Sequence, residues 1–167
     1  MADRQWDSSY EGKRTALIWT GSFSDSLEII EIKYLPGAHP LKKIPQGDWV
    51  DLYTYEDVNL KAQIPQLISL GIAMRLPEGY EAIIAPRSST FKKWGILQTN
   101  SIGIIDSTYC GNNDIWKMPV YPTRDIEIPK DTRLCQFRIQ KNQPAFEFKP
   151  VEFLDSEDRK GFGSTGE

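Results

Sequence analysis

The sequence predicts an all-β fold, a barrel or sandwich of many short strands, and three observations lead there. Its apolar runs are short and rich in Ile, Val, Phe, Tyr and Trp. Several alternate with the two-residue period of a strand, and clusters of Gly, Pro, Asn and Asp separate them. No window of helical length carries a 3.6-residue period. At 167 residues the chain is long enough to bury one core.

Residues 1–26 are polar and weakly patterned apart from TALIW (15–19), and read as an N-terminal extension. A β domain is expected over 27–154. Its first strands fall at LEIIEIKYL (27–35), WVDLY (49–53), QLISLGIAM (66–74) and YEAIIA (80–85). GILQTNSIGIID (95–106), DIWKMPVY (114–121), TRLCQFRIQ (132–140) and AFEFKPVEF (145–153) follow. LPGAHP, LPEGY, YCGNND, EIPKDT and KNQP between them supply turn chemistry. Helix is expected only as a turn near Ser89–Trp94 and in YEDVNLK (55–61). Residues 155–167 read as an arm. Gly161, Gly163 and Gly166 loosen it, and Phe162 is an aromatic ring with no core left to join.

Composition excludes several classes. Net charge is −3 and no Lys/Arg block stands out, which argues against a nucleic-acid polymer as partner. Cys110 and Cys135 form no Cys-x-x-Cys motif, so neither a disulfide framework nor a zinc knuckle is expected. The single histidine, His39, lies in a loop-like stretch and is read as an exposed loop residue. No apolar run reaches the ~18 residues of a membrane-spanning helix. The start MADRQWDSSYEG has no signal-peptide core, and a cytoplasmic location is expected.

Four stretches carry chemistry. In APRSST, Pro86 sets the backbone and Arg87 offers a planar fork of donors. Ser88, Ser89 and Thr90 add hydroxyls at the start of a helical turn, which suits either an anion or a simple cap. In NSIGIIDSTYCG, Asp106 ends an apolar strand, where a carboxylate can orient and deprotonate a water. The Tyr109 ring can pack on a sugar face, and Gly103 and Gly111 allow close backbone approach. The same pattern fits a turn-forming Asp beside a surface Tyr. GDWVDLY places Asp48 and Asp51 around a strand. In DTRLCQFRI, alternation sets Cys135, Phe137 and Ile139 on one face and Gln136 and Arg138 on the other.

Taken in order, GDWVDLY, APRSST, NSIGIIDSTYCG, DTRLCQFRI and DRKGFGSTG resemble the five motifs of the trimeric dUTP pyrophosphatase (dUTPase) family, in its bacterial and phage form. The resemblance runs from about Leu27 to the C-terminus. It implies a jelly-roll-like β-barrel and a homotrimer with sites at subunit interfaces. It also implies hydrolysis of dUTP to dUMP and pyrophosphate with Mg2+. On it, Asp106 matches the aspartate that orients the attacking water, and Tyr109 the aromatic under the deoxyribose. Asn100 and the backbone around Gly103 and Asp114 fall where uracil is read. Arg87, Ser88, Ser89 and Gln136 match phosphate-binding positions. No direct protein ligand for the metal is implied, and Asp51 falls near its water shell or beside Arg87. Residues 155–167 match a C-terminal lid. There Arg159 would reach the γ-phosphate, Phe162 would stack on uracil, and Ser164 and Thr165 would bind terminal phosphates. RKGFG is shorter than the Arg-Gly-x-Gly-Gly-Phe spacing common in the family. Two alternatives stay open: the related dCTP deaminases, and a catalytically silent, dUTPase-like regulatory protein.

Overall fold

The structure, a computed structural model, describes residues 28–158. Alternating burial turns the apolar runs into short antiparallel strands. They are β1 (Glu31–Tyr34), β2 (Val50–Tyr53), β3 (Val58–Leu60), β4 (Gln66–Ser69), β5 (Ile72–Arg75) and β6 (Tyr80–Pro86). After a single helical turn, α1 (Thr90–Trp94), come β7 (Ile96–Gln98), β8 (Gly103–Ile105), β9 (Lys117–Pro122), β10 (Ile126–Ile128) and β11 (Arg133–Lys141). The main sheet has the order β2-β11-β6-β8, a second the order β4-β9-β7, and β1-β5 and β10-β3 form two-stranded ribbons. No described helix is long and apolar enough to cross a membrane.

Inward positions of these sheets make one core. Leu52, Ile84, Trp116, Met118, Val120 and Leu134 are fully buried. The Trp116 ring meets Phe137 edge-on, with centroids 5.3 Å apart. A register shift between Arg133 and Cys135 lets the adjacent Leu134 and Cys135 both face inward. Beyond it the expected alternation holds, with Phe137 buried and Arg138 exposed.

Four local expectations are corrected. QLISLGIAM is two strands, because a bulged turn at Gly71, which adopts φ +70°, interrupts the run while Leu70 N donates to Trp116 O and Trp116 N donates to Ile72 O. A Cβ there would stand 2.7 Å from Tyr55 Cδ2, so no larger residue fits that turn. YEDVNLK is not helical: Val58–Leu60 pairs with Ile126–Ile128, a strand that intrudes on the expected turn EIPKDT. AFEFKPVEF forms no strand. Phe146, Phe148, Val151 and Phe153 are exposed, since no described strand of the same chain lies beside them. The expected turn near Ser89–Trp94 is present as α1, closed by Gly95 at φ 62° with its N–H on Phe91 O. His39 is half-buried rather than freely exposed. Its ring stacks on Tyr53 with centroids 3.7 Å apart.

Candidate active site

Strand register gathers the nominated residues into two groups. In the first, β11 lies between β2 and β6, so Gln136 faces Asp51 on one side and Ala85 on the other. Arg87 leaves the end of β6 beside them. Its Nε donates to Asp51 Oδ1 at 2.8 Å, with both side chains about three-quarters buried. Arg133 Nη1 reaches the other oxygen of Asp51 at 3.4 Å. Gln136 Nε2 donates to Pro86 O at 3.3 Å. Asp51 therefore serves two arginines. Because it engages Arg87 through Nε, the outer nitrogens of the Arg87 fork can face an anion.

The α1 turn completes this group. Ser89 occupies the N-cap position without a side-chain capping bond. Thr90 does the local fastening instead: Arg87 N donates to Thr90 Oγ1 at 3.0 Å, and Thr90 Oγ1 donates to Leu134 O at 2.7 Å. The turn is thus tied to β11 through a buried threonine, while Ser88 lies exposed beside Arg87.

The second group follows β8. Thr108 N donates to Asp106 Oδ1 at 2.8 Å, and Tyr109 N donates to Asp106 O at 3.0 Å, an Asx-type turn. The Thr108 amide, and then its hydroxyl, hold the Asp106 carboxyl below its ordinary value. An exposed, ionised carboxylate is the state that accepts a proton from water. Tyr109 Oη donates to Ile115 O at 3.4 Å, which tethers the ring to the returning chain. Gly111 N donates to Asp114 Oδ2 at 2.7 Å, and a Cβ on Gly111 would stand 2.8 Å from that oxygen. The Asp114 carboxylate closes this loop. Asn100 and Gly103 lie at the β7–β8 hairpin, with Gly103 buried opposite Ile84.

The two groups do not meet within one chain. Ile105 faces Ala82 near the start of β6, so Asp106 lies at that end, whereas Arg87 follows the other end. At about 3.3 Å per residue, Asp106 and Arg87 stand roughly 20 Å apart along the strand. A groove of about 700 Å³ is lined by Ile30, Ile32, Val50, Phe137 and Ile139 among others, with Asp48 and Arg138, and holds none of Asp51, Arg87, Asp106, Tyr109 and Gln136. Among the described residues, no three His, Cys, Asp or Glu side chains stand close enough to hold a metal. Arg159, Phe162, Ser164 and Thr165 lie outside the described residues, as do residues 1–26. Sequence reasoning missed Gln98, a buried amide beneath Asn100. Its only sequence signal is a polar residue at an inward position of an apolar strand.

The family model for dUTPase matches residues 40–166. The SPbeta prophage-derived deoxyuridine 5'-triphosphate nucleotidohydrolase YosS of Bacillus subtilis is 51% identical over 138 residues, 82% of this chain and 97% of that protein. The deoxyuridine 5'-triphosphate nucleotidohydrolase of Finegoldia magna is 43% identical over 118 residues, 68% of this chain and 80% of that one. Among solved structures, the Staphylococcus bacteriophage 80alpha dUTPase with dUpNHpp superposes with a TM-score of 0.71 at 23% identity, covering 83% of this chain and 98% of that chain. A phage phi11 dUTPase of S. aureus, described with a structural Mg(II) ion, gives a TM-score of 0.66 at 18% identity, covering 77% of this chain and 100% of that chain. These two likenesses establish the jelly-roll β fold, and the family match with the closely similar relatives establishes kinship: this chain belongs to the dUTPase family.

Proposed function

We propose that this chain hydrolyses dUTP to dUMP and pyrophosphate at sites assembled between copies of itself in a homotrimer. The separation of Asp106 from Arg87 along β6 carries this reading. The water-activating group and the phosphate-holding group cannot share a substrate within one chain, but two copies can juxtapose them. Apolar side chains turned outward support the association. Leu67 and Leu97, exposed on the β4-β9-β7 sheet, lie across from Pro119 and Tyr121, and Ile104 is exposed on β8.

In this reading Asn100, with the backbone near Gly103 and Asp114, meets the uracil. The Tyr109 ring lies under the deoxyribose, where a 2′-hydroxyl would collide. Arg87, Ser88, Ser89 and Gln136 hold the phosphates, and Asp51 orients Arg87. Asp106 directs a water at the α-phosphorus and accepts its proton. A new P–O bond forms as the bond to the bridging oxygen breaks, and pyrophosphate leaves. Residues 155–167 close over the substrate: Arg159 and the Ser164 and Thr165 hydroxyls reach the outer phosphates, and Phe162 covers the base. Closure excludes water and aligns the phosphates.

The donor set suits magnesium carried by the substrate. Asp51 is committed to two arginines, and the described residues hold no cluster of three ligands. When bound, Mg2+ neutralises phosphate charge and orients the leaving group. In this reading the enzyme acts in the cytoplasm. Incubation with dUTP, dCTP, dTTP and UTP, with and without magnesium, tests the reading by product chromatography. Magnesium-dependent dUMP from dUTP alone is expected; deamination of dCTP, or no turnover of any nucleotide, would reject it.

A further inference from the structure

Gln98 ends β7 with its side chain turned inward, opposite Val120 and only 9% exposed. Its Nε2 donates to Ile84 O at 3.2 Å and to Asn100 Oδ1 at 3.0 Å. A backbone carbonyl can only accept, so Ile84 dictates which end of the Gln98 amide faces it. With Nε2 held there, its second N–H meets Asn100, and Asn100 has to turn its own oxygen inward. Reversing Gln98 would set two oxygens against each other; reversing Asn100 would set two amino groups against each other. Gln98 Oε1 is buried without a partner among the described residues, so the orientation is imposed by the two acceptors rather than by any bond to that oxygen.

We propose that Gln98 is a positioning residue for base selection: it locks the exposed Asn100 amide with its NH2 outward, so the site accepts a base edge offering a carbonyl oxygen and repels one offering an amine. This rests on the reading above that Asn100 meets the base. Uracil and cytosine differ at that edge, a carbonyl at C4 in one and an amino group in the other. A free asparagine amide could rotate to suit either; a locked one separates them by adding a repulsive contact to the wrong base. Gly103 lies against this pair: a Cβ there would press on Ile84 Cβ at 3.2 Å and stand in ordinary contact with Gln98 Nε2 at 3.5 Å and Asn100 Nδ2 at 3.7 Å.

The test compares full-length wild type with Gln98→Leu, Gln98→Met and Gln98→Glu. It reads kcat/KM for dUTP and dCTP, and the binding of dUMP against dCMP by calorimetry, with melting to confirm folding. The Leu and Met variants should lose about tenfold in uracil-over-cytosine preference, the worth of one hydrogen bond, mainly through tighter binding of dCMP and a higher kcat/KM for dCTP. Met conserves length and gives the same reading if Leu does not fold. The Glu variant, kept neutral by burial, donates its one proton to Ile84 O, faces Asn100 with an acceptor, turns that amide round, and should shift binding further toward dCMP. If both nucleotides weaken in parallel and the ratio holds, Gln98 is only a packing residue and the proposal falls. That result differs from a wild type that leaves dUTP intact, which would overturn the underlying reading as well.

Discussion

Asp51 Oδ1 holds Arg87 Nε at 2.8 Å while Gln136 lies directly across from Asp51 on β11. Three stretches far apart in sequence thereby converge on one patch. Replacing Asp51 by Asn keeps the shape and removes the charge that orients the fork. KM for dUTP should rise about tenfold with a smaller fall in kcat, because phosphate binding is lost before chemistry. Stability should change by roughly 1 kcal/mol at most, since the pair is only partly buried. A steady-state assay with a thermal melt checks both.

Asp106 is the proton acceptor in this account, so Asp106→Asn should retain fold and nucleotide binding while turnover falls by roughly 10²–10⁴-fold. Binding of a non-hydrolysable dUTP analogue, measured beside single-turnover hydrolysis, separates the two effects.

The pH profile follows from the same carboxylate. Its folded pKa is lowered from the ordinary 3.8, first by the Thr108 amide and then by the Thr108 hydroxyl. A lowered pKa means the ionised form persists as pH falls and is lost only below that ordinary value. The acid limb of kcat/KM should therefore lie below about pH 4. Thr108→Ala removes the hydroxyl and keeps the amide, so it should move the limb upward by only part of the shift. The stability from this interaction has the same sign, present above the ordinary value and lost as pH falls through the lowered one.

The two cysteines should react differently. Burial, and then the charge of Asp51, push the Cys135 thiol well above its ordinary value, whereas Cys110 is half-buried. Neither is in a disulfide. A thiol reagent should label Cys110 in the native protein and Cys135 only on unfolding, as peptide mapping would show.

The local periodicities were legible in the sequence. The alternation of TRLCQFRIQ and the apolar run YEAIIA gave their strands, and the turn near Ser89–Trp94 is α1. The β3–β10 ribbon was not legible, because three-residue strands built on DVNL and DIEI carry too little apolar pattern to outweigh their turn-forming Asp and Asn. AFEFKPVEF misled for a different reason: alternation specifies an amphipathic strand without naming its partner, and the described residues of this chain offer none. At the site, residue types and their order were visible, but the gap between Asp106 and Arg87 is a matter of register on β6. Gln98 shows in the sequence only as a polar residue at an inward position, and its meaning depends on a carbonyl fourteen residues away.

The composite site is the central claim, and subunit mixing tests it most directly. Asp106→Asn and Arg87→Ala chains are each inactive alone. After unfolding together and reassembling in equal amounts, about a quarter of the sites should pair an intact Asp106 with an intact Arg87 from a different copy. Activity should recover to about that fraction of wild type. If mixed assemblies form and remain as inactive as either parent, each site lies within one chain and the account is wrong.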